Sequence, residues 1–209
     1  MVKLYVEGGG EAAALKTACR AGFTTFITKA GLTSRPRVVA CGSRRDAYES
    51  FCTAMANGEE AVLLVDSEAP VAPQNSTGEP TAWLPWQHLK HRPGDGWDKP
   101  ALSGDTDCHL MVQCMESWLV ADRATLKKFF GQGFKENQLP ALTTALDSVE
   151  KDRIYEALAN STKDCKTKAP YGKGEHSFKL LLCIDPHRVT AASPWAKRFV
   201  DELKNKMGA

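Results

Sequence analysis

No stretch of the chain approaches the roughly 20 consecutive apolar residues that a membrane-spanning helix needs, so nothing in it reads as a transmembrane segment. Net charge is nearly absent as well. Lys+Arg 27 against Asp+Glu 25 leaves +2, so no global field announces nucleic acid, and any such binding falls to a local patch. Cysteine pairs at metal-ligand spacing are missing. Cys19, Cys41, Cys52, Cys108, Cys114, Cys165 and Cys183 are scattered and never form C-x-x-C, which argues against a zinc site or a disulfide framework and for free thiols in a reducing compartment. There is no G-x-x-x-x-G-K-[ST], hence no P-loop. The first residues show neither a basic n-region with an apolar h-region nor a cleavage site. The expected location is therefore the cytoplasm, without membrane attachment.

What is present is an ordinary globular composition, 43% hydrophobic and 25% charged, enough for one core. An alternating apolar run over 2–6 ends in Glu7, followed by Gly8, Gly9, Gly10, Glu11 and an alanine-rich segment with Leu15, Cys19, Phe23, Phe26 and Ile27 on one helical face. The pattern predicts strand, tight turn and helix over 12–29, with Gly22 marking a break or cap. The segment AVLLVDSEAP repeats the logic, a buried strand over 61–65 running into Asp66, Ser67 and Glu68. Between them lie a strand over 37–41 and a helix over 46–55. Strands and helices alternating with short links predict a mainly parallel sheet, whose ligands gather at the carboxyl ends of the strands. If the first and third strands are neighbours, Glu7, Asp66 and Glu68 converge, and their repulsion calls for a hard divalent cation. Ser43, Arg44 and Arg45 share that rim, which makes Arg44 a candidate for binding a substrate phosphate.

The glycine turn admits a competing interpretation, because Gly8, Gly10 and Ala13 satisfy G-x-G-x-x-A of a dinucleotide-binding turn. Two features weigh against it. Residues 28–35 hold no acid for a ribose, and Glu7 would face the pyrophosphate with a negative charge.

Residues 69–107 change character, with six prolines and Trp83, Trp86 and Trp97 beside His88, Lys90, His91 and Arg92. Long excursions of this kind are functional or disordered, and the tryptophans argue against disorder. Either they stack on bases while Lys90 or Arg92 pairs with phosphates, or they staple the excursion to the domain. His88 and His91 lack a third ligand nearby in sequence. The apolar run over 109–121 holds a single acid, Glu116, costly to bury unless paired or metal-bound. Asp122 reads as the cap of a helix ending before Gly131, residues 136–148 as loop with a helical turn, and 149–159 as helix. Lys173, bracketed by Gly172 and Gly174, and His176 are candidates for phosphate contact or transition-state neutralisation. Asp185-Pro186 and Ser193-Pro194 begin a short and a long closing helix.

The pair EGGGEA and VDSE resembles a Toprim domain, the catalytic module of type IA topoisomerases, primases and OLD-type nucleases. Glu7, Gly8 and Glu11 match its first motif; Asp66 and Glu68 match its Asp-x-Asp with Glu in the last place. More specifically, YVEGGGE, RPRVVACG, LLVDSE, HLMVQCMESWLVAD, YGKGEHSF and ASPWAKRF resemble a small stand-alone Toprim-like family of unknown function whose members lie beside ATPase genes in bacterial anti-phage defence loci. The resemblance implies a Toprim-like α/β fold as a single domain over 1–209. Its core would be 1–68 and 108–130, with an insertion over 69–107 and a helical C-terminal part over 131–209. It implies Mg²⁺ or Mn²⁺ held by Asp66 and Glu68, Glu7 as ligand or general acid/base, Glu11 and Glu116 in support, and Lys173 and His176 assisting. Strand passage would need a tyrosine-bearing domain, and primases need template-binding parts, so hydrolysis remains. The expected function is a metal-dependent nuclease acting on DNA or RNA and gated by a partner ATPase. The alternative is a non-catalytic adaptor that binds nucleic acid or an ATPase.

Overall fold

A computed structural model describes residues 1–141 and 145–208. Of the loop expected over 136–148, Leu142, Thr143 and Thr144 lie outside the described residues. Strands β1 (Lys3–Gly9), β2 (Arg37–Gly42), β3 (Ala61–Asp66) and β4 (Cys108–Met111) form one parallel sheet in the order β2-β1-β3-β4. The α/β class with a parallel sheet flanked by helices, expected from the alternating pattern, is what folds.

Period-two alternation sorts the strand side chains between two cores. Leu4, Val6, Val62 and Leu64 join Cys19, Phe23, Phe26 and Ile27 of α1 (Ala13–Lys29) on one face. Tyr5, Leu63 and Val65 meet Ala47, Phe51 and Ala54 of α2 (Arg44–Ala56) on the other. Each fully buried side chain of this size contributes about 1.5–3 kcal/mol. The two helices lie on opposite faces because the chain steps from β1 to β2 and then back across β1 to β3, and right-handed crossovers in opposite directions require it. The connections leaving β1 and β3 therefore diverge. The crevice they open at the carboxyl ends is a topological switch point.

Gly22 neither breaks nor caps α1, which is continuous. A Cβ there would stand 3.1 Å from Leu181 Cδ2 and 3.3 Å from the Phe178 carbonyl oxygen, so the glycine instead lets α7 (Lys173–Leu181) close against α1. The apolar run over 109–121 divides between β4 and α4 (Glu116–Ala121).

The insertion over 69–107 holds α3 (Pro85–His91) and short 3-10 turns. Its tryptophans are buried: Trp83 packs 4.7 Å from Trp195, Trp97 stacks 4.6 Å from Tyr48, and Trp86 donates Nε1–H to the Gly104 carbonyl at 3.0 Å. The remaining helices are α5 (Arg123–Phe130), α6 (Lys151–Thr162), α8 (Pro186–Ala192) and α9 (Pro194–Met207). Asp122, Asp185 and Ser193 cap α5, α8 and α9 through their side chains as their sequence context predicts. From α9, Arg198 is 1% exposed and donates to the carbonyls of Pro80 (2.7 Å), Cys108 (2.9 Å) and Asp105 (2.7 Å). A buried guanidinium satisfied in this way ties the insertion to β4 and the C-terminal helix.

Candidate metal centre

β1 and β3 deliver their acids to the switch point. Glu7, Asp66 and Glu68 each offer a carboxylate oxygen within 4.8 Å of the others. The backbone fixes two of them, since Asp66 N–H donates to Glu7 Oε2 (3.0 Å) and Met115 N–H to Asp66 Oδ1 (2.8 Å). Glu68 stands at φ 62°, a left-handed conformation that costs a residue with a Cβ on the order of 1 kcal/mol or more. The strand-end hydrogen bonds hold it there. Ser67 N–H donates to the Met111 carbonyl (3.0 Å), Glu68 N–H to the Gln113 carbonyl (2.8 Å), and His88 Nε2 lies 2.8 Å from the Ser67 carbonyl.

Burial dominates the electrostatics. It pushes Glu7 up to about 7, against the lowering influence of the Asp66 amide and the Arg44 guanidinium. Asp66 is driven well above the carboxylate range, first by burial and then by the charges of Glu7 and Glu116. Cations answer this charge on two sides. Arg44 contacts Glu7 Oε2 at 3.4 Å and donates Nε–H to the Asp66 carbonyl at 3.1 Å. Arg92 reaches Glu68 at 4.0 Å, and Lys151 forms an ion pair with Glu68. Among the described residues, no hydrogen-bond donor reaches Glu7 Oε1, Asp66 Oδ2 or Glu68 Oε1. Three hard oxygen donors, each with an oxygen to spare, fit a hard divalent cation.

The family model described as "Domain of unknown function (DUF4276)" matches residues 6–204. The chain belongs to that family. Comparison with curated proteins and with solved structures finds no match. The DUF4276 match takes in every acid of the cluster, the insertion and the C-terminal helices, so the site and the parts that brace it fall within one family unit.

Glu116 lies beside the cluster in this DUF4276 chain, fully buried, with both oxygens occupied. Tyr155 OH donates to Oε2 (3.1 Å) and Tyr171 OH to Oε1 (2.9 Å), with Ser177 Oγ 3.2 Å from Oε1. Lys173, at the first turn of α7, donates Nζ–H to Tyr155 OH at 3.0 Å. Burial lowers its affinity for a proton, but Glu116, Asp66 and Glu7 together raise it above the ordinary 10.5, so it is a cation.

Other candidates are placed elsewhere or already engaged. Glu11 is exposed and stands outside the carboxylate cluster. His176 is buried among Phe129, Phe130 and Tyr171, and its Nδ1 accepts the Gly172 N–H (3.0 Å), so it caps α7 from within and does not line the cavity beside the acids. Burial lowers its pKa and keeps it neutral. Lys90 is exposed and pairs with Asp98 at 2.7 Å, away from the rim. Arg44 is at the rim, held by a two-pronged pair with Asp95 (2.6 and 3.0 Å) and seated 4.8 Å over the Trp97 ring. Asp95, Lys151, Tyr155, Tyr171 and Ser177 were not singled out by sequence reasoning. Glu116 gave the one available signal, because a buried carboxylate requires donors, but nothing in the sequence marked Tyr155 and Tyr171, 39 and 55 residues on, as those donors.

Proposed function

We propose that this protein is a Toprim-type, metal-dependent phosphodiesterase that acts on nucleic acid, with Mg²⁺ or Mn²⁺ as its ion. The observation that carries the proposal is the convergence of Glu7, Asp66 and Glu68 at the β1/β3 switch point, beside the cations Arg92 and Lys173. When bound, such an ion activates water and neutralises phosphoryl oxygens. The chain's residues supply the rest. Glu7, whose Oε2 takes the Asp66 amide and whose Oε1 has no donor among the described residues, is suited to serve as a ligand of the ion or as the group that takes a proton from the attacking water. Lys173 neutralises charge on a phosphoryl oxygen, and Arg92 receives the flanking phosphate. Glu116, its oxygens taken by hydroxyls, orients Lys173 through Tyr155. A partner ATPase, a role in anti-phage defence and a cytoplasmic location rest on the sequence resemblance alone.

One observation favours the adaptor alternative: Lys151 and Arg92 on Glu68, with Arg44 on Glu7, balance much of the charge without an ion. The two are separated by incubating wild type and Asp66→Ala with plasmid, single-stranded DNA and total tRNA in Mn²⁺, with and without the neighbouring ATPase. Cleavage by the wild type alone is the expected result. Equal cleavage by both proteins, or none from either with the ATPase present, contradicts the phosphodiesterase.

A further inference from the structure

Glu7 borders two spaces of opposite character. On one side is a groove in which Arg44, Arg45, Arg92 and Trp97 stand with the carboxylates of Glu7, Glu68 and Asp95. On the other is a cavity of about 210 Å³ whose walls are mostly apolar, with Leu15, Met111, Met115 and Phe178 as side chains and Asp66, Lys173 and Ser177 at its polar edge. The glycine turn forms its floor. A Cβ on Gly8 would stand 2.9 Å from Phe178 Cζ, and one on Gly9 2.8 Å from Lys16 Cα, whereas nothing lies within 4 Å of the position at Gly10. Gly8 and Gly9 thus lie too close to Phe178 and to the Lys16 backbone to carry a side chain, and the turn meets the cavity next to the acids as bare backbone.

We infer that this cavity receives the base of an unpaired nucleotide whose phosphate lies at the carboxylate cluster and whose strand continues into the arginine-lined groove; the substrate is then single-stranded or looped-out nucleic acid, not intact duplex. The inference rests on the phosphodiesterase proposal and narrows it. Charge and polarity select the occupant: an ion on Glu7 and Glu68 would leave the three arginines of the groove in excess over its remaining acid, Asp95, for a backbone, while the cavity is apolar for a ring. Thioethers and an aromatic ring are favourable partners for a nucleobase. Size selects the unpaired state: 210 Å³ is below the ~300–1,000 Å³ of sites for drug-sized ligands, enough for one ring system and not for a base pair. Unstacking a paired base to fill it costs energy that a loop or single strand does not demand.

The test uses the full chain in Ca²⁺, with binding read by fluorescence anisotropy. The probes are labelled single-stranded DNA and RNA 12-mers, the corresponding blunt duplexes and AMP as competitor. Mn²⁺ binding is titrated in parallel on each protein. Leu15→Trp, in the first turn of α1, fills the cavity without touching the acids; Phe178→Ala removes an aromatic wall, and thermal melts confirm that both variants fold. The expected result is single-strand binding at least 10-fold tighter than duplex, reduced about 10-fold or more in Leu15→Trp and in Phe178→Ala through lost stacking, with Mn²⁺ binding unchanged. The DNA and RNA arms identify the sugar. Equal binding of single strand and duplex, wild-type affinity in both variants, AMP outcompeting the strands, or no strand binding while Mn²⁺ binds would each overturn the inference and leave the metal centre standing. Failure of Mn²⁺ to bind the wild type would sink the phosphodiesterase proposal itself.

Discussion

Replacing Glu7 by Gln should stabilise the metal-free protein at alkaline pH. Burial raises the folded-state value from an ordinary 4.5 to about 7, so the folded protein holds a proton that the unfolded chain has lost. A raised carboxyl favours folding below 4.5, and that advantage disappears as pH climbs through about 7. At ~1.4 kcal/mol per tenfold, the full cost above pH 7 is on the order of 3 kcal/mol. Glutamine mimics the protonated acid, and it can still accept the Asp66 amide now bonded to Oε2. Arg44 loses its contact with Glu7 but keeps both bonds to Asp95, so the figure is an upper bound. For a chain of this length ~3 kcal/mol corresponds to roughly 6–12 °C in Tm. The assay is calorimetry in EDTA at intervals from pH 4.5 to 8.5, comparing Glu7→Gln with wild type so that the buried histidines cancel. The difference should be near zero at pH 4.5 and grow to its full value above pH 7. Adding Mg²⁺ at about 100 times its Kd should return ~2.7 kcal/mol to the wild type at pH 8 and little to the variant. A flat difference across this range, or a wild type more stable than the variant at pH 8 in EDTA, would refute the assignment of Glu7 as a half-buried, ion-dependent carboxylate.

Removing Glu116 takes the acceptor from the half-buried hydroxyls of Tyr155 and Tyr171, while Ser177 keeps the Lys173 carbonyl; Glu116→Ala should cost about 2–3 kcal/mol in urea unfolding, with Glu116→Gln recovering part of it. Arg198→Ala leaves three carbonyls without their donor and should cost ~3 kcal/mol or more, with limited proteolysis cutting first within 69–107. Gly9→Ala places a Cβ 2.8 Å from the Lys16 backbone at φ +88°. It should lower stability by ~1–3 kcal/mol and weaken Mn²⁺ binding, seen by melting and titration.

The sheet was legible because its signal is local and repeated. Apolar runs over 2–6, 37–41 and 61–65, each followed by a helix or a turn, leave little choice but a parallel sheet, and the acids follow from the strand ends. β4 was hidden because Cys108–Met111 runs into α4 without a turn residue, and a short apolar run has no period that separates strand from helix. Gly22 misled for a related reason. Helical propensity penalises glycine, but tertiary approach of α7 made it the residue that fits. Within the site, Glu7, Asp66 and Glu68 could be found because Glu7 lies near the end of β1 and Asp66 and Glu68 at the end of β3. Lys151, Tyr155 and Asp95 come from distant segments and meet the acids only through the packing of α6 and the insertion. Glu11 and His176 show the converse. Nearness to the motif in sequence placed Glu11 on an exposed turn, and an aromatic surround turned His176 into a helix cap.

The most direct test is a calorimetric titration of Mn²⁺ at pH 8 into wild type, Asp66→Asn, Glu7→Gln and Glu11→Gln. A saturable site present in wild type and Glu11→Gln, lost in Asp66→Asn and weakened at least 10-fold in Glu7→Gln, is the predicted outcome. No site in the wild type, or a loss in Glu11→Gln as large as in Asp66→Asn, would contradict a metal centre built from Glu7, Asp66 and Glu68.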